Sequence, residues 1–494
     1  MSRIKQLAGQ TVVYGGGHIL SKIVFYLLVN FLLLNLLNER NEEYGTFSWY
    51  YGYSAIFVIL FSFRMDTALF RFGTKVSDSK KAFNTSFTFV LIASLFLLTI
   101  GVFAYKYIAP HTVAPNRPIY VRWFAFILAF DILALIPYAK LRLDNQAKSF
   151  AVFKILNVLI SSGLIIFFLV VLPSFPDSIR SIFPDCAYII DYVFLSNLIA
   201  SFVILILLIL KVGGIGFQLD LAILKNMIFY VSPLVVVGVA NSVIQYLAVP
   251  LQEQFLGPNE AENIAKGGTY EASRKIANLF AMFVTAFNYA AEPFFFNNSS
   301  SSDRRLYYGK ICNFFSLVGG LVILCIVFSL DAIGQLIGSS YLEGFFVIPI
   351  LLIGYLFLGL YYNVSIWYKL SDNTKYGAYI STLGVITFLC INILLLPLYG
   401  YVVTAWATLI TYSLMVVVAY IIGQKLYPID YPIKKIIVNI IIVSGIVVTS
   451  VYLKPEVTTT IYYVFASVTV CLYMWYAYKV EEAEWDTILK IRKT

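Results

Sequence analysis

The chain contains little charge for its length. Only 12% of its 494 residues are Asp, Glu, Lys or Arg, whereas about 25% is usual in soluble domains. It has two histidines and five cysteines, with no C-x-x-C pair. It also lacks a G-x-x-x-x-G-K-[ST] phosphate loop. These absences argue against a soluble protein, a metal or redox centre, and a nucleotide-binding domain within the chain.

Long apolar runs fill the sequence instead. They recur from end to end, each near the ~20 residues that cross a bilayer as a helix. The first run carries a lysine and is too long for a cleavable signal peptide. We therefore predict an all-α polytopic membrane protein with about 14 transmembrane helices, at 11–37, 45–70, 82–108, 119–139, 151–172, 187–210, 226–250, 269–293, 311–334, 345–368, 377–397, 401–423, 436–453 and 460–479.

The basic residues are unevenly distributed between the two sides of these spans. Lys and Arg in alternate segments, starting from the N-terminal tail, outnumber those in the other segments more than threefold. The positive-inside rule then predicts that both termini are cytoplasmic. Because topology explains the net charge of +9, we do not expect a nucleic-acid partner.

The chain contains a weak internal repeat. The segment Ser62–Phe72 closes span two, and a similar segment, Ala286–Phe296, closes span eight. Upstream of each, Gly45-Thr46-Phe47 matches Gly268-Thr269-Tyr270 at almost the same offset. Six spans separate the copies, and an even number preserves orientation, so the repeats are predicted to be parallel.

The repeat predicts two six-helix lobes around a central cavity. Residues 1–210 form the N-lobe (spans 1–6) and residues 226–425 the C-lobe (spans 7–12), joined by a cytoplasmic connector at 211–225. Residues 426–494 add spans 13 and 14 and a cytoplasmic tail. Paired lobes of this kind are typical of transporters.

Several basic residues lie inside apolar runs. Lys22 lies near the middle of span one, with His18 one turn before it. A lysine at that depth costs at least ~2.5–3.5 kcal/mol, so it normally faces protein or water. It is therefore a candidate for binding an anionic substrate. Alternatively, its side chain snorkels toward the membrane surface or pairs with an acid such as Asp66 or Asp131.

A second group lies at the end of span two. Arg64, Ala68 and Arg71 share one helix face at i, i+4 and i+7. Arginine suits bidentate contact with phosphate, so Arg64 and Arg71 are candidate substrate residues. Arg71 also lies at the predicted cytoplasmic end, where positive-inside residues are ordinary. Asp66 is a structural partner or an ion-coupling carboxylate.

Span eight and its neighbour supply the remaining candidates. Arg274 and Lys275 occupy the first turns of span eight together with Glu271. The three side chains either satisfy one another as a charged cluster, or the two basic ones accept an anionic headgroup. Glu292, near the other end of the span, and Glu253, at the edge of span seven, are candidates for coupling transport to H⁺ or Na⁺. We predict no catalytic residue and no metal ligand.

Five motifs point to one family of membrane proteins. They are Glu43-Tyr44-Gly45, Arg64–Phe72, Tyr138 with Arg142, Tyr270–Phe296, and Asn392–Thr408. Taken together, these motifs resemble the polysaccharide (Wzx-type) flippases of the multidrug/oligosaccharidyl-lipid/polysaccharide exporter superfamily, and the Glu-Pro-Phe ending of span eight resembles members from Bacteroidota. The resemblance covers residues 1 to about 425.

The resemblance implies a V-shaped transporter of the bacterial inner membrane. Such a protein moves undecaprenyl-diphosphate-linked oligosaccharide to the outer leaflet by alternating access, and basic cavity residues bind the diphosphate or an acidic sugar. It implies no cofactor beyond H⁺ or Na⁺ coupling, a monomer among membrane lipids, and polysaccharide polymerase and chain-length machinery as partners.

Two other functions are compatible with the composition. A multidrug or other small-molecule antiporter of the same superfamily would be expected to carry an unpaired acid deep in span one or span seven. In this chain the deep polar residues of span one are His18 and Lys22, and span seven has no acidic residue before Glu253 at its edge. A membrane-embedded polysaccharide polymerase or acyltransferase would need a catalytic group, usually on a sizeable loop. The deep basic residues favour an anionic substrate.

Overall fold

The computed structural model describes residues 31–73, 79–144, 146–180, 188–297, 304–337, 339–371, 373, 375–456 and 458–480. Over these residues it is helical, with no strand. Eleven of the described helices are long and apolar enough to cross a membrane. The protein is therefore a multi-pass membrane protein, and the all-α prediction is confirmed.

The described helices begin and end as follows. They are α1 (Phe31–Leu36), α2 (Asn41–Ser62), α3 (Met65–Gly73), α4 (Ser79–Thr99), α5 (Pro118–Leu143), α6 (Ala147–Ile166), α7 (Ile189–Val212), α8 (Leu221–Tyr246), α9 (Ala248–Phe255), α10 (Glu260–Asn297), α11 (Arg304–Phe328), α12 (Ile348–Val364), α13 (Lys375–Tyr399), α14 (Val402–Leu426), α15 (Ile433–Leu453) and α16 (Thr459–Val480), with short helical turns between some of them.

Each predicted span from two to fourteen coincides with one or more of these helices. Helices α2 and α10, in predicted spans two and eight, are not among the eleven apolar ones. Their polar and charged side chains lower their hydropathy, and such helices normally face protein or water rather than lipid. The same two helices contain the matched Gly-Thr-aromatic segments of the repeat.

Contacts divide the chain into two compact units. The first comprises Met1–Ala272, Ile337–Leu342 and Thr374–Thr404, and the second comprises Ser273–Leu336, Glu343–Asn373 and Ala405–Thr494. The predicted lobe boundaries at 210 and 226 stay a prediction.

In the first unit, an ion pair between a half-buried arginine and a buried aspartate ties α7 to the start of α5. Arg117 Nη1 lies 3.4 Å from Asp191 Oδ2, and the Tyr120 hydroxyl donates to Asp191 Oδ1 at 2.5 Å. Asp191 is only 2% exposed, so its charge must be satisfied by these partners. The pair fixes the loop before α5 against the start of α7.

In the second unit, a polar network attaches the last two helices to α11. Asn439 of α15 donates through Nδ2 to the Ser316 carbonyl at 2.8 Å, and it accepts at Oδ1 from the Tyr473 hydroxyl of α16, also at 2.8 Å. Asn439 is fully buried. Because buried amides are costly unless paired, this network specifies how α15 and α16 pack on α11.

Candidate functional site

Predicted span two is interrupted rather than continuous. Helix α2 ends at Ser62 and α3 begins at Met65. Between them, Phe63 and Arg64 have φ values of 48° and 55°, in the left-handed region that non-glycine residues rarely adopt. The Phe63 N–H still bonds to the Ile59 carbonyl at 2.9 Å, and the Arg64 carbonyl accepts from the first turn of α3. The expectation of one unbroken helix over 45–70 is therefore wrong.

The interruption presents the Arg64 side chain to α8. A Cβ added at Gly238 of α8 would lie 2.7 Å from Arg64 Nη2 and 3.0 Å from Nε. A side chain at Gly238 would therefore crowd the guanidinium, which would have to shift. Arg64 Nε is buried and has no hydrogen-bond partner among the described residues. A cationic donor of this kind is expensive to leave unsatisfied, which makes Arg64 the strongest candidate for contact with an anion.

Arg71 lies further along the same helix face. Its guanidinium carbon is 5.4 Å from the centre of the Tyr230 ring on α8. Arg64 faces Gly238 and Arg71 faces Tyr230, so α3 and α8 run antiparallel and both arginines lie on the face toward α8. Ala68, between them, is fully buried. The predicted shared face is present, but Arg71 is exposed and has an aromatic partner.

The repeat-related glycines of α2 and α10 lie against each other at the predicted outer end. A Cβ added at Gly268 would lie 2.9 Å from the Gly45 backbone nitrogen and would overlap the Asn41 carbonyl. A Cβ added at Gly45 would overlap the Ile264 carbonyl. Asn41 precedes Gly45 by four residues, as Ile264 precedes Gly268, so the contact is reciprocal. Reciprocal contacts are characteristic of a two-fold axis.

Side-chain hydrogen bonds surround this crossing of α2 and α10 at Gly45 and Gly268. Asn41 Nδ2 donates to Thr269 Oγ1 at 3.0 Å, and the Ser340 hydroxyl donates to Asn41 Oδ1 at 2.9 Å. The Tyr341 hydroxyl donates to the Leu37 carbonyl at 3.0 Å. Helices α2 and α10 and the 339–342 segment are thus joined around the glycine contact.

Glu43 is a carboxylate beside this crossing, before the predicted start of span two. Its Oε2 accepts from the Ile189 N–H at the start of α7, at 3.1 Å, and its Oε1 lies 3.3 Å from Arg40 Nη1. Burial raises the pKa of Glu43, and Arg40 with the backbone N–H groups of Ile190 and Ile189 offsets part of the rise.

The basic candidates of span eight lie on α10. Arg274 is 6% exposed, Glu271 is 4% exposed, and Lys275 is half-buried. Each has electrostatic or hydrogen-bonding partners. These side chains therefore belong to the protein interior rather than to a lipid-facing surface, and their role in binding stays a prediction.

The remaining candidates are less well placed or lie outside the described part. Asp66, in the first turn of α3, is half-buried and has no ion-pair partner among the described residues. Glu253 on α9 is half-buried, and burial, with Glu260 nearby, raises its pKa. Lys22 and His18 lie outside the described residues. The backbone of Glu292 belongs to α10, but its side chain lies outside the described part.

Sequence reasoning did not single out Gly238 or assign a role to Glu43. No pattern marks a glycine that accommodates an arginine from another helix, because the two residues are far apart in sequence. Glu43 belongs to the Glu43-Tyr44-Gly45 motif, and its place beside the glycine that meets Gly268 was a signal that could have identified it.

These features define the class of fold. No protein-family model matches the chain, and no curated protein matches it in sequence. Its fold is nevertheless similar to that of solved transporters of the multidrug/oligosaccharidyl-lipid/polysaccharide exporter superfamily.

Three of these similar structures are matched by this chain over almost their whole length. The lipid II flippase MurJ in an inward closed conformation superposes with a TM-score of 0.66 at 14% identity, covering 94% of this chain and 98% of that one. An outward-facing multidrug resistance MATE family transporter of the MOP superfamily gives 0.52 at 13%, covering 84% and 94%. The Vibrio cholerae MATE transporter VcmN in its bent form gives 0.52 at 14%, covering 85% and 96%.

Proposed function

We propose that the protein is a Wzx-type flippase that moves undecaprenyl-diphosphate-linked oligosaccharide from the inner to the outer leaflet of a bacterial cytoplasmic membrane. The observation that carries this proposal is Arg64. Its guanidinium lies at the helix interruption in predicted span two, with a buried donor that no described residue satisfies. A diphosphate would supply the missing acceptor.

The chemistry of the interruption suits a diphosphate. Arginine presents parallel donors that match phosphate oxygens, and such charge-assisted bonds are about twice as strong as neutral ones. Interrupted transmembrane helices with N-termini near an anionic substrate group are a recurrent feature of transporters. In this proposal Lys22 and His18 of span one also contact the substrate, and Arg274, Lys275 and Arg71 contact it at other stages of its passage.

Transport requires the outer end to open and close. In this proposal the Gly45–Gly268 contact between α2 and α10 separates to release the glycan and re-forms afterwards. Asp66, Glu253 and Glu292 are the candidate carboxylates for coupling these states to H⁺ or Na⁺. The N- and C-termini lie in the cytoplasm, the transporter acts as a monomer, and polymerase and chain-length machinery receive the product. No catalytic residue is assigned.

A genetic experiment tests this function in cells. The gene is deleted in its host and replaced by the wild-type gene or by a variant encoding Arg64→Ala or Lys22→Ala. We expect lipid-linked oligosaccharide to accumulate on the cytoplasmic leaflet after deletion, and export to return only with the wild-type gene. Unchanged export after deletion would remove the basis of the proposal.

A multidrug antiporter is the second candidate, because MATE transporters are among the similar structures. It differs in the charge of its substrate: an exporter of organic cations would gain nothing from an unsatisfied arginine in its path. Deletion that sensitises the host to cationic drugs, with normal glycan export, would favour this alternative.

A further inference from the structure

A second candidate binding site is a cavity at the predicted outer end of the first unit. It has a volume of about 760 Å³ and is lined by the start of α2, the segment before α5, the start of α7, and Ala265 and Ser340. This volume falls within the ~300–1,000 Å³ of known ligand pockets. Its side chains are mostly polar, unlike the apolar surfaces elsewhere in the unit.

One part of the cavity wall is held in place by its own contacts. The Arg117 guanidinium lies 3.9 Å from the centre of the Tyr188 ring and 3.4 Å from Asp191 Oδ2. Arg40 and Glu43 pair at 3.3 Å. Arg117 and Tyr188, held by their contacts, lose little freedom when a ligand binds and form a pre-organised surface, whereas the Arg40 side chain is 53% exposed.

Three other lining side chains have no polar partner in the part of the chain that the structure describes. Glu39, Glu42 and Asn116 are exposed, and their side chains make no hydrogen bond or ion pair with the described residues. Two carboxylates and one amide supply several acceptors and two donors. The neighbouring Tyr188 residue is 42% exposed, with Arg117 over its ring. Planar polar groups with free donors and acceptors beside an aromatic ring suit a ligand with hydroxyl groups and an apolar ring face.

The charge of the cavity restricts the ligand further. Both of its arginines are paired, Arg40 with Glu43 and Arg117 with Asp191, whereas Glu39 and Glu42 are unpaired among the described residues. The net unpaired charge is therefore negative. It disfavours a carboxylate or phosphate on the ligand and favours neutral or positively charged groups.

We propose that this cavity binds the sugar residues of the transported glycan, and that it selects neutral or amino sugars over acidic ones. The proposal rests on the proposed function, since the glycan is delivered by the same transport cycle. It separates two tasks: Arg64 contacts the diphosphate, which all substrates share, and the outer cavity distinguishes the glycan attached to it.

Reconstituted vesicles provide the test. Two substrates with the same polyprenyl diphosphate carrier are compared. One carries a single sugar and the other a neutral oligosaccharide. We expect Glu42→Ala/Asn116→Ala to lower the oligosaccharide rate relative to the single-sugar rate about fivefold, which corresponds to ~1 kcal/mol of lost hydrogen bonding. Glu262→Gln is the matched control, because Glu262 lies on α10 at the same end, pairs with Lys266 and does not line the cavity.

The outcomes separate this inference from the proposed function. Equal loss for both substrates, or no loss for either, would overturn the glycan site. Wild-type protein that moves neither substrate would instead contradict the proposed function. An oligosaccharide with a uronic acid should be moved more slowly by the wild type, and Glu42→Gln should reduce that penalty. If the cavity substitutions changed transport only when divalent cations were added, that result would also overturn the proposal.

Discussion

Gly45 and Gly268 occupy equivalent positions in the two sequence repeats and lie against each other in the fold. Neither position has room for a side chain, because a Cβ at either glycine would overlap the backbone of the other helix. Small residues that allow close backbone approach are a known device for packing helices in membranes. The two copies of the repeat therefore contact each other at the predicted outer end.

The glycine contact predicts a loss of stability when either residue gains a methyl group. Gly45→Ala and Gly268→Ala should each destabilise the protein by about 1–3 kcal/mol, since overpacking forces the backbones apart. Thermal unfolding in detergent measures this. Gly163→Ala is the control, because nothing lies within 4 Å of a Cβ there, and a helical Gly→Ala change should stabilise slightly. Equal unfolding temperatures for all three variants would refute the close contact.

Arg64 should be needed as an arginine rather than as a positive charge. We expect Arg64→Ala to lower the transport rate at least about tenfold, and Arg64→Lys to restore only part of it, because lysine cannot make the bidentate contact. The rate of flipping in reconstituted vesicles is the measurement. Arg71→Ala, on the same face but exposed, should have a smaller effect. Full activity of Arg64→Lys would exclude bidentate recognition.

Gly238 should act through Arg64. A Cβ at Gly238 would lie 2.7 Å from Arg64 Nη2, so Gly238→Ala should displace the guanidinium and reduce transport. In an Arg64→Ala background the same change should have little further effect on transport, because the effects of substitutions at two residues in contact are not additive. Independent effects of the two substitutions would show that Gly238 acts through something else.

Glu43 predicts a dependence of stability on pH. Burial raises its pKa above the ordinary value of 4.5, so between about pH 4.5 and the raised pKa the native state binds more protons than the unfolded state. Native stability then falls as the pH rises through that window. Glu43→Gln keeps a carbonyl acceptor for the Ile189 N–H but cannot titrate, and it should show a shallower fall in unfolding temperature from about pH 4.5 to about pH 7. Identical slopes for both proteins would contradict the burial of this carboxyl.

Much of the fold follows from simple sequence patterns. Apolar run length predicted the helices because the bilayer thickness sets their length, and spans two to fourteen all coincide with described helices. The repeat likewise predicted that Gly45 and Gly268 are equivalent, although only the structure shows that they touch.

The site was less predictable, for physical reasons. Periodicity placed Arg64 and Arg71 on one face, but no residue type at Phe63 or Arg64 signals the left-handed turn between α2 and α3. That turn depends on tertiary packing, which can stabilise backbone conformations that local preference disfavours. The partner of Arg64 on α8 is equally invisible, since Gly238 contributes only the absence of a side chain.

The most direct measurement of the central claim is flipping by the purified protein. Wild-type protein is reconstituted into vesicles with a fluorescent polyprenyl-diphosphate oligosaccharide, and a membrane-impermeant reagent reports how much substrate reaches the opposite leaflet. The account predicts protein-dependent flipping that falls at least about tenfold in Arg64→Ala. Wild-type vesicles that flip no faster than protein-free vesicles would contradict it.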